Sequence, residues 1–270
     1  MLRQVLPLIS EDASLPGFNT DPLRENDYNP APGVIHKYHG RVLLIPTPVC
    51  AINCRYCFRR HFPYSDNNPG KRQWLESLAY IRSDASISEV ILSGGDPLAT
   101  DDEHLGWLAS QLDAIPQLKR LRIHSRLPVV IPSRINDDFL AWTLNSRLKV
   151  SMVLHINHGN EINGEVSAAV ARLRAQGILV FNQSVLLKGI NDNAETLIEL
   201  SEKLFDIGIV PYYLHTLDPV AGAGHFYCDS PASLALYREL QRQLPGYLLP
   251  KLVSDVPGRS SKLIITPQNP

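Results

Sequence analysis

Six short apolar runs, most of them followed by a segment of helical spacing, constrain this chain more than any other feature. The runs are Arg41–Pro46, Glu89–Ser93, Arg120–Ser125, Lys149–His155, Leu179–Gln183 and Val210–His215. Their length and composition read as buried strands. Helical spacing covers about 71–83, 101–114, 136–145, 161–176 and 193–206, and a last helix over about 230–243 follows the sixth run. Asp101 or Asp102 stands ready to cap the second helix, and Gly177 and Gly208 fall just past the ends of the fourth and fifth. Such alternation predicts βαβ units and a parallel sheet, either an incomplete barrel or an open doubly wound sheet. The strand ends carry polar residues: Ser93-Gly94-Gly95-Asp96, His124-Ser125-Arg126, His155-Ile156-Asn157-His158, Gln183 and His215. In a barrel those ends gather on one face, where chemistry takes place, which favours the barrel. The expected architecture is therefore an α/β fold, a partial (β/α)6 TIM-like barrel over residues 41–243. An extended arm rich in Pro, Asn and Asp precedes it over 1–40, and a C-terminal segment follows over 244–270.

Charge and hydropathy remove several function classes. The formal net charge of −1 argues against a general nucleic-acid or membrane-surface binder, which would carry a basic excess. No apolar run reaches the ~18 residues that span a bilayer. Pro7 and Glu11-Asp12 interrupt the start before a signal-peptide core can form. The chain reads as cytoplasmic, where cysteines stay reduced. Three of its 4 cysteines nonetheless fall together, as Cys50-Ala51-Ile52-Asn53-Cys54-Arg55-Tyr56-Cys57.

Thiolates crowded at C-x3-C-x2-C are soft ligands for an iron–sulfur cluster or for zinc. Three of them can hold three irons of a [4Fe–4S] cube and leave the fourth iron open. Zinc would need a fourth ligand such as His61 or Cys228, in a zinc-stabilised module that docks a translation factor. Zinc sites more often use two C-x2-C pairs, and only one is present. Cys228 reads as a small buried apolar residue.

The string Cys54-Arg55-Tyr56-Cys57-Phe58-Arg59-Arg60-His61-Phe62, with the spacing before it, resembles the lysine 2,3-aminomutase family of the radical S-adenosylmethionine (SAM) superfamily. The likeness runs from about Leu2 to Lys262, and within the family it is greatest to the bacterial branch that serves β-lysylation of elongation factor P. The resemblance implies a radical SAM barrel with a [4Fe–4S] cluster on Cys50, Cys54 and Cys57, SAM and pyridoxal 5′-phosphate. Gly94, Gly95 and Asp96 match the segment that meets the amino group of SAM, and His155 matches a position near that cofactor. On the residues alone, Asp96 can accept from a cationic amine, and a strand-end His can equally be structural.

Lys37, Tyr38 and Arg41 match positions that hold the cofactor phosphate, Gln183 another contact with the same cofactor, and Lys262 the lysine that forms its internal Schiff base. Where the family often has glycines before that lysine, this chain has Gly258-Arg259-Ser260-Ser261. Arg59 matches the clamp for the substrate carboxylate, and Asp218 and Asp255 the pair that embraces the ε-ammonium of L-lysine. Two carboxylates in one pocket need a cation between them, which favours lysine, with an aminomutase acting on another amino acid such as arginine as the alternative. The implied reaction is L-lysine to (R)-β-lysine, with an electron donor such as flavodoxin or ferredoxin, a separate β-lysine ligase acting on elongation factor P, and a homo-oligomer compatible with the family. Relatives carry a helical segment ahead of the point matching Met1, so the chain reads as late-starting or as a fragment. No cysteine follows Cys228, so the intersubunit zinc site of longer relatives is not expected.

Overall fold

The computed structural model describes residues 1–64 and 71–267, with backbone alone at Lys71 and Arg72. Its sheet contains β1 (Val34–Tyr38), β2 (Arg41–Leu44), β3 (Glu89–Leu92), β4 (Arg120–Ser125), β5 (Lys149–Leu154), β6 (Leu179–Val185), β7 (Val210–His215), β8 (Lys251–Ser254) and β9 (Leu263–Ile264). The helices are α1 (Lys71–Ser83), α2 (Asp102–Asp113), α3 (Leu127–Val130), α4 (Asp137–Asn145), α5 (Gly164–Ala175), α6 (Ala194–Asp206) and α7 (Ser230–Gln243).

Spatial order equals chain order, β1 to β9 without a reversal. Strands β2 to β8 are all parallel, while β1 and β9 join the two edges antiparallel. A doubly wound sheet needs a point where the order reverses, and none occurs. Right-handed crossovers that always step the same way put every helix on one face, and the twisted sheet curls around the other. The result is the expected open (β/α) barrel.

Burial along the strands shows which face is which. In β4, Leu121, Ile123 and Ser125 are buried while Arg122 and His124 are half-buried; in β6, Val180, Asn182 and Ser184 are buried while Phe181 and Gln183 are not. The buried set packs under the helices, in one core with Leu105, Leu108 and Leu112 of α2, Phe139 of α4, Val170 and Leu173 of α5 and Leu200 and Leu204 of α6. The half-buried set faces the inside of the curl, where His124 and His155 pack edge to face with ring centroids 5.9 Å apart. These strands are thus tightly covered on one face, where the sequence reading had them simply buried.

Helix starts follow local chemistry. Asp101, Asn136, Asn163, Asn193 and Asp229 each accept a backbone N–H from the first turn of α2, α4, α5, α6 and α7. Asn163 explains why α5 begins at Gly164 rather than near 161, where a 3-10 turn Gly159–Glu161 stands instead. All six expected strands form. The three additions are β1, in the stretch read as an extended arm, and β8 and β9, in the C-terminal segment. The hairpin β1–β2 turns at Gly40, whose φ of 76° suits glycine. Among the described residues no helix is long and apolar enough to cross a membrane.

Candidate active site

The loop from β2 to α1 carries Cys50, Cys54 and Cys57, and backbone pairing fixes where it sits. Gly95 N–H donates to the Thr47 carbonyl at 3.1 Å and Asp96 N–H to the Val49 carbonyl at 2.8 Å, strapping the start of the loop to the end of β3. A Cβ at Gly95 would lie 2.6 Å from backbone atoms of Pro48 and Val49, and one at Gly94, where φ is 118°, would lie 2.6 Å from Ile45. Gly95 is therefore required by the approach of two backbones, and Gly94 by its positive φ and the Ile45 side chain against it. Tyr64 donates to the Gly94 carbonyl at 2.7 Å, and the Arg126 guanidinium donates to Cys54 Sγ at 3.1 Å.

Burial pushes the Cys50 thiol up to about 12, and the charges of Asp96, Cys57 and Cys54 add to the effect. Burial likewise lifts Cys57 to about 11, with Cys54 beside it. Three adjacent thiolates become tenable when a bound cation offsets their repulsion. Among the described residues no group of three His, Cys, Asp or Glu converges to hold a single metal ion. A [4Fe–4S] cube asks less convergence, because each thiolate binds a different iron.

Asp96 is tied into the protein itself. Its buried carboxylate accepts from Leu98 N–H (3.0 Å), Ser125 Oγ (2.6 Å), Arg126 N–H (2.8 Å) and Leu127 N–H (2.9 Å). With four donors already engaged, the side chain braces the loops after β3 and β4 to each other rather than facing an incoming amine. Burial raises its pKa, against the pull of those donors.

The opposite edge of the barrel holds the lysine. Hairpin β8–β9 pairs Val253 with Ile264 and Ser254 with Leu263. Continued by one step, the same register sets Asp255 opposite Lys262, and the two form an ion pair. Tyr38, at the end of β1, donates to the other Asp255 oxygen at 2.5 Å, so the two sheet edges meet there. The Arg41 guanidinium lies 4.7 Å from the Tyr38 ring centroid, and the Lys262 amine 6.0 Å from that of Tyr213 on β7.

Asp218, after β7, has no ion-pair partner among the described residues. Burial and the neighbouring Asp255 charge raise its pKa to about 7, with Lys262 pulling the other way. Asp255, despite burial, is held below the usual carboxylate range by Lys262 and by the Tyr38 hydroxyl. Tyr38, Asp255 and Lys262 thus meet, and Asp218 lies close enough to feel the charges of Asp255 and Lys262. His155 and Gln183 meet each other on neighbouring strand ends, their Nε2 atoms 3.3 Å apart.

The sequence reading named Arg59 and the strand-end residues His124, Arg126 and His215 but not the contacts they make. Arg59 is buried and paired in bidentate fashion with Glu25, through Nε at 2.7 Å and Nη2 at 2.9 Å; Lys37 approaches the same carboxylate at 3.4 Å. Arg126 is the hub of a buried network with Glu161 (2.7 Å), Gln4 (3.2 Å) and Tyr56. His124 and His215 face the barrel interior with Nε2 atoms that lack a hydrogen-bond partner among the described residues, and burial lowers the pKa of both, so they stay neutral. Alternation of polar residues along β4, as Arg122 and His124, was the available signal for the last; nothing in the sequence distinguished Glu25.

Residues 44–201 match the family model described as "Radical SAM superfamily". The chain is 50% identical over 262 residues to the L-lysine 2,3-aminomutase of Escherichia coli K12, a match covering 97% of this chain and 76% of that protein. It is 49% identical to the L-lysine 2,3-aminomutase of Haemophilus influenzae, over 98% of this chain and 78% of that one. The chain belongs to the lysine 2,3-aminomutase family. Radical SAM membership brings the [4Fe–4S] cluster and SAM, and the family places the chain among the isomerases. A solved radical SAM methyltransferase from Sphaerobacter thermophilus superposes with a TM-score of 0.57 at 15% identity, covering 82% of this chain and 68% of that one, which supports the barrel alone. For a lysine 2,3-aminomutase, the three-cysteine loop fits the cluster in donor type.

Proposed function

We propose that this chain is a cytoplasmic, pyridoxal phosphate-dependent lysine 2,3-aminomutase that converts L-lysine to (R)-β-lysine for modification of elongation factor P. The observation that carries the reading is the meeting of Tyr38, Asp218, Asp255 and Lys262 where the two sheet edges close. Two carboxylates share that corner, and a Lys262 ammonium is the cation that makes them compatible.

When bound, the cluster and SAM supply a radical that removes a substrate hydrogen, and pyridoxal phosphate supplies a ring that spreads the unpaired electron while nitrogen migrates. The protein's own contribution is placement. Lys262 would hold the pyridoxal carbonyl through its amine, which takes the ammonium away from Asp255. Asp255 and Asp218 are then left for the ε-ammonium of lysine, a cation replacing a cation. Tyr38, Lys37 and Arg41 form a donor-rich corner suited to a phosphate, and Gln183 and His155 offer neutral polar groups nearby. Arg59 would grip the substrate carboxylate. The half-buried barrel interior limits water around a radical, so the substrate is held where few competing reactions reach it.

Anaerobic reconstitution with iron, sulfide, pyridoxal phosphate, SAM and a flavodoxin or ferredoxin reductant tests this. Formation of β-lysine from L-lysine is the expected result. Turnover of L-arginine with none of lysine would redirect the substrate assignment, and failure of pyridoxal phosphate to bind would remove the cofactor assignment.

A further inference from the structure

The side chain most fully committed near the mouth, without a role in the reading above, is Glu25. It is 4% exposed, in a 3-10 turn of the arm that spans Glu25–Tyr28. A buried carboxylate is costly unless it is paired and hydrogen-bonded, and this one meets two cations. Burial works against its charge, but Arg59 and Lys37 more than offset that, and its pKa lies below the ordinary carboxylate range.

The consequence for Arg59 follows from counting donors. A guanidinium has five N–H groups. Glu25 takes Nε–H and one on Nη2, and Ser93 Oγ takes one on Nη1 at 3.3 Å. Among the described residues one N–H therefore remains on each terminal nitrogen, the composition of a single carboxylate-binding fork. Stacking of the guanidinium 4.7 Å from the Phe58 ring centroid fixes its plane further. Arg59 and Glu25 line one cavity of about 70 Å³, which Phe58, His61 and Phe62 share. Asp21 lines the same cavity and accepts the Glu25 N–H at 3.0 Å, which ties the turn carrying Glu25 to the cavity rim.

We propose that Glu25 is a positioning residue for the amino-acid carboxylate, holding Arg59 in the one orientation that leaves a carboxylate fork open. The inference rests on the reading of Arg59 as the carboxylate clamp. It predicts that Glu25 matters only for ligands that carry that carboxylate. The probes are L-lysine and 1,5-diaminopentane, which has the same chain and amines without the carboxylate. Each is titrated calorimetrically into anaerobically reconstituted holoenzyme.

Glu25→Gln should weaken lysine by about tenfold, the scale of one hydrogen bond to a charged group, and leave the diamine unchanged. Glu25→Asp should recover part of the loss. In an Arg59→Gln background, Glu25→Gln should cost nothing further, and this neutral pair also serves if Glu25→Gln alone folds poorly. Equal weakening of both ligands, or an added loss in the Arg59→Gln background, overturns the proposal. If Arg59→Gln alone leaves the ratio of lysine to diamine affinity unchanged, the clamp reading itself fails. If Arg59→Gln collapses the ratio while Glu25→Gln does not, only the role of Glu25 fails.

Discussion

The two sides of the barrel mouth are built differently. On the cysteine side, backbone does the fixing: Gly95 and Asp96 N–H groups pair with Thr47 and Val49 carbonyls, and the Asp96 carboxylate gathers four donors. On the lysine side, side-chain charge does it: Asp255 is held between Lys262 and Tyr38, and residues 256–261 between the two pairing strands are exposed. A cluster needs a rigid, preorganised cradle. On the proposed reading Lys262 takes up pyridoxal phosphate, which needs a bond that can be exchanged, and an ion pair is one.

This contrast can be broken in graded ways. The largest effect belongs to the lysine side: Lys262→Ala should abolish both pyridoxal absorbance and turnover while leaving the brown colour of the reconstituted cluster. Spectra unchanged from wild type would show that the lysine side is not where that cofactor binds. Next is Arg126→Leu on the cysteine side, which leaves Glu161 buried without its cation; the cost should be about 3–5 kcal/mol in urea unfolding.

Gly95→Ala follows. Its Cβ would press on backbone 2.6 Å away, and backbone cannot yield as a side-chain tip can. A loss of about 1–3 kcal/mol is expected, with poorer iron retention after reconstitution. Full iron content in this variant would mean that the strap does not govern the cradle.

The smallest effect is a pH dependence on the lysine side. The folded pKa of Asp218 lies above its unfolded value, so its protonated form is favoured on folding. Its contribution is fully present at acid pH and is lost as pH rises from the usual carboxylate range through about 7. Asp218→Asn should flatten stability across that window, measured by urea titrations along the pH series. An unaltered slope would assign the titration elsewhere.

Much of the barrel was legible because apolar runs and helix caps are local signals, and all six expected strands form where those signals lie. β1 was hidden because His36, Lys37 and Tyr38 give it a polar, half-covered end, and β9 because it is two residues long. At the site, the cysteines and Lys262 could be named from motifs. What Asp96 touches could not, since its partners Ser125, Arg126 and Leu127 come from the next strand end. Glu25 was invisible for the same reason: its meaning depends on Arg59, 34 residues away, and chain order says nothing of that contact.

The antiparallel register at the closing edge has an evolutionary corollary. Asp255 faces Lys262 because the two lie one rung beyond the last stitched pair, so the amine is delivered by the ladder and not by the stretch that bridges it. Glycines, arginine or serines in that bridge can then be exchanged as lineages diverge without the amine losing its station. A one-residue slip in the two short rungs that follow would point it to the other side of the sheet.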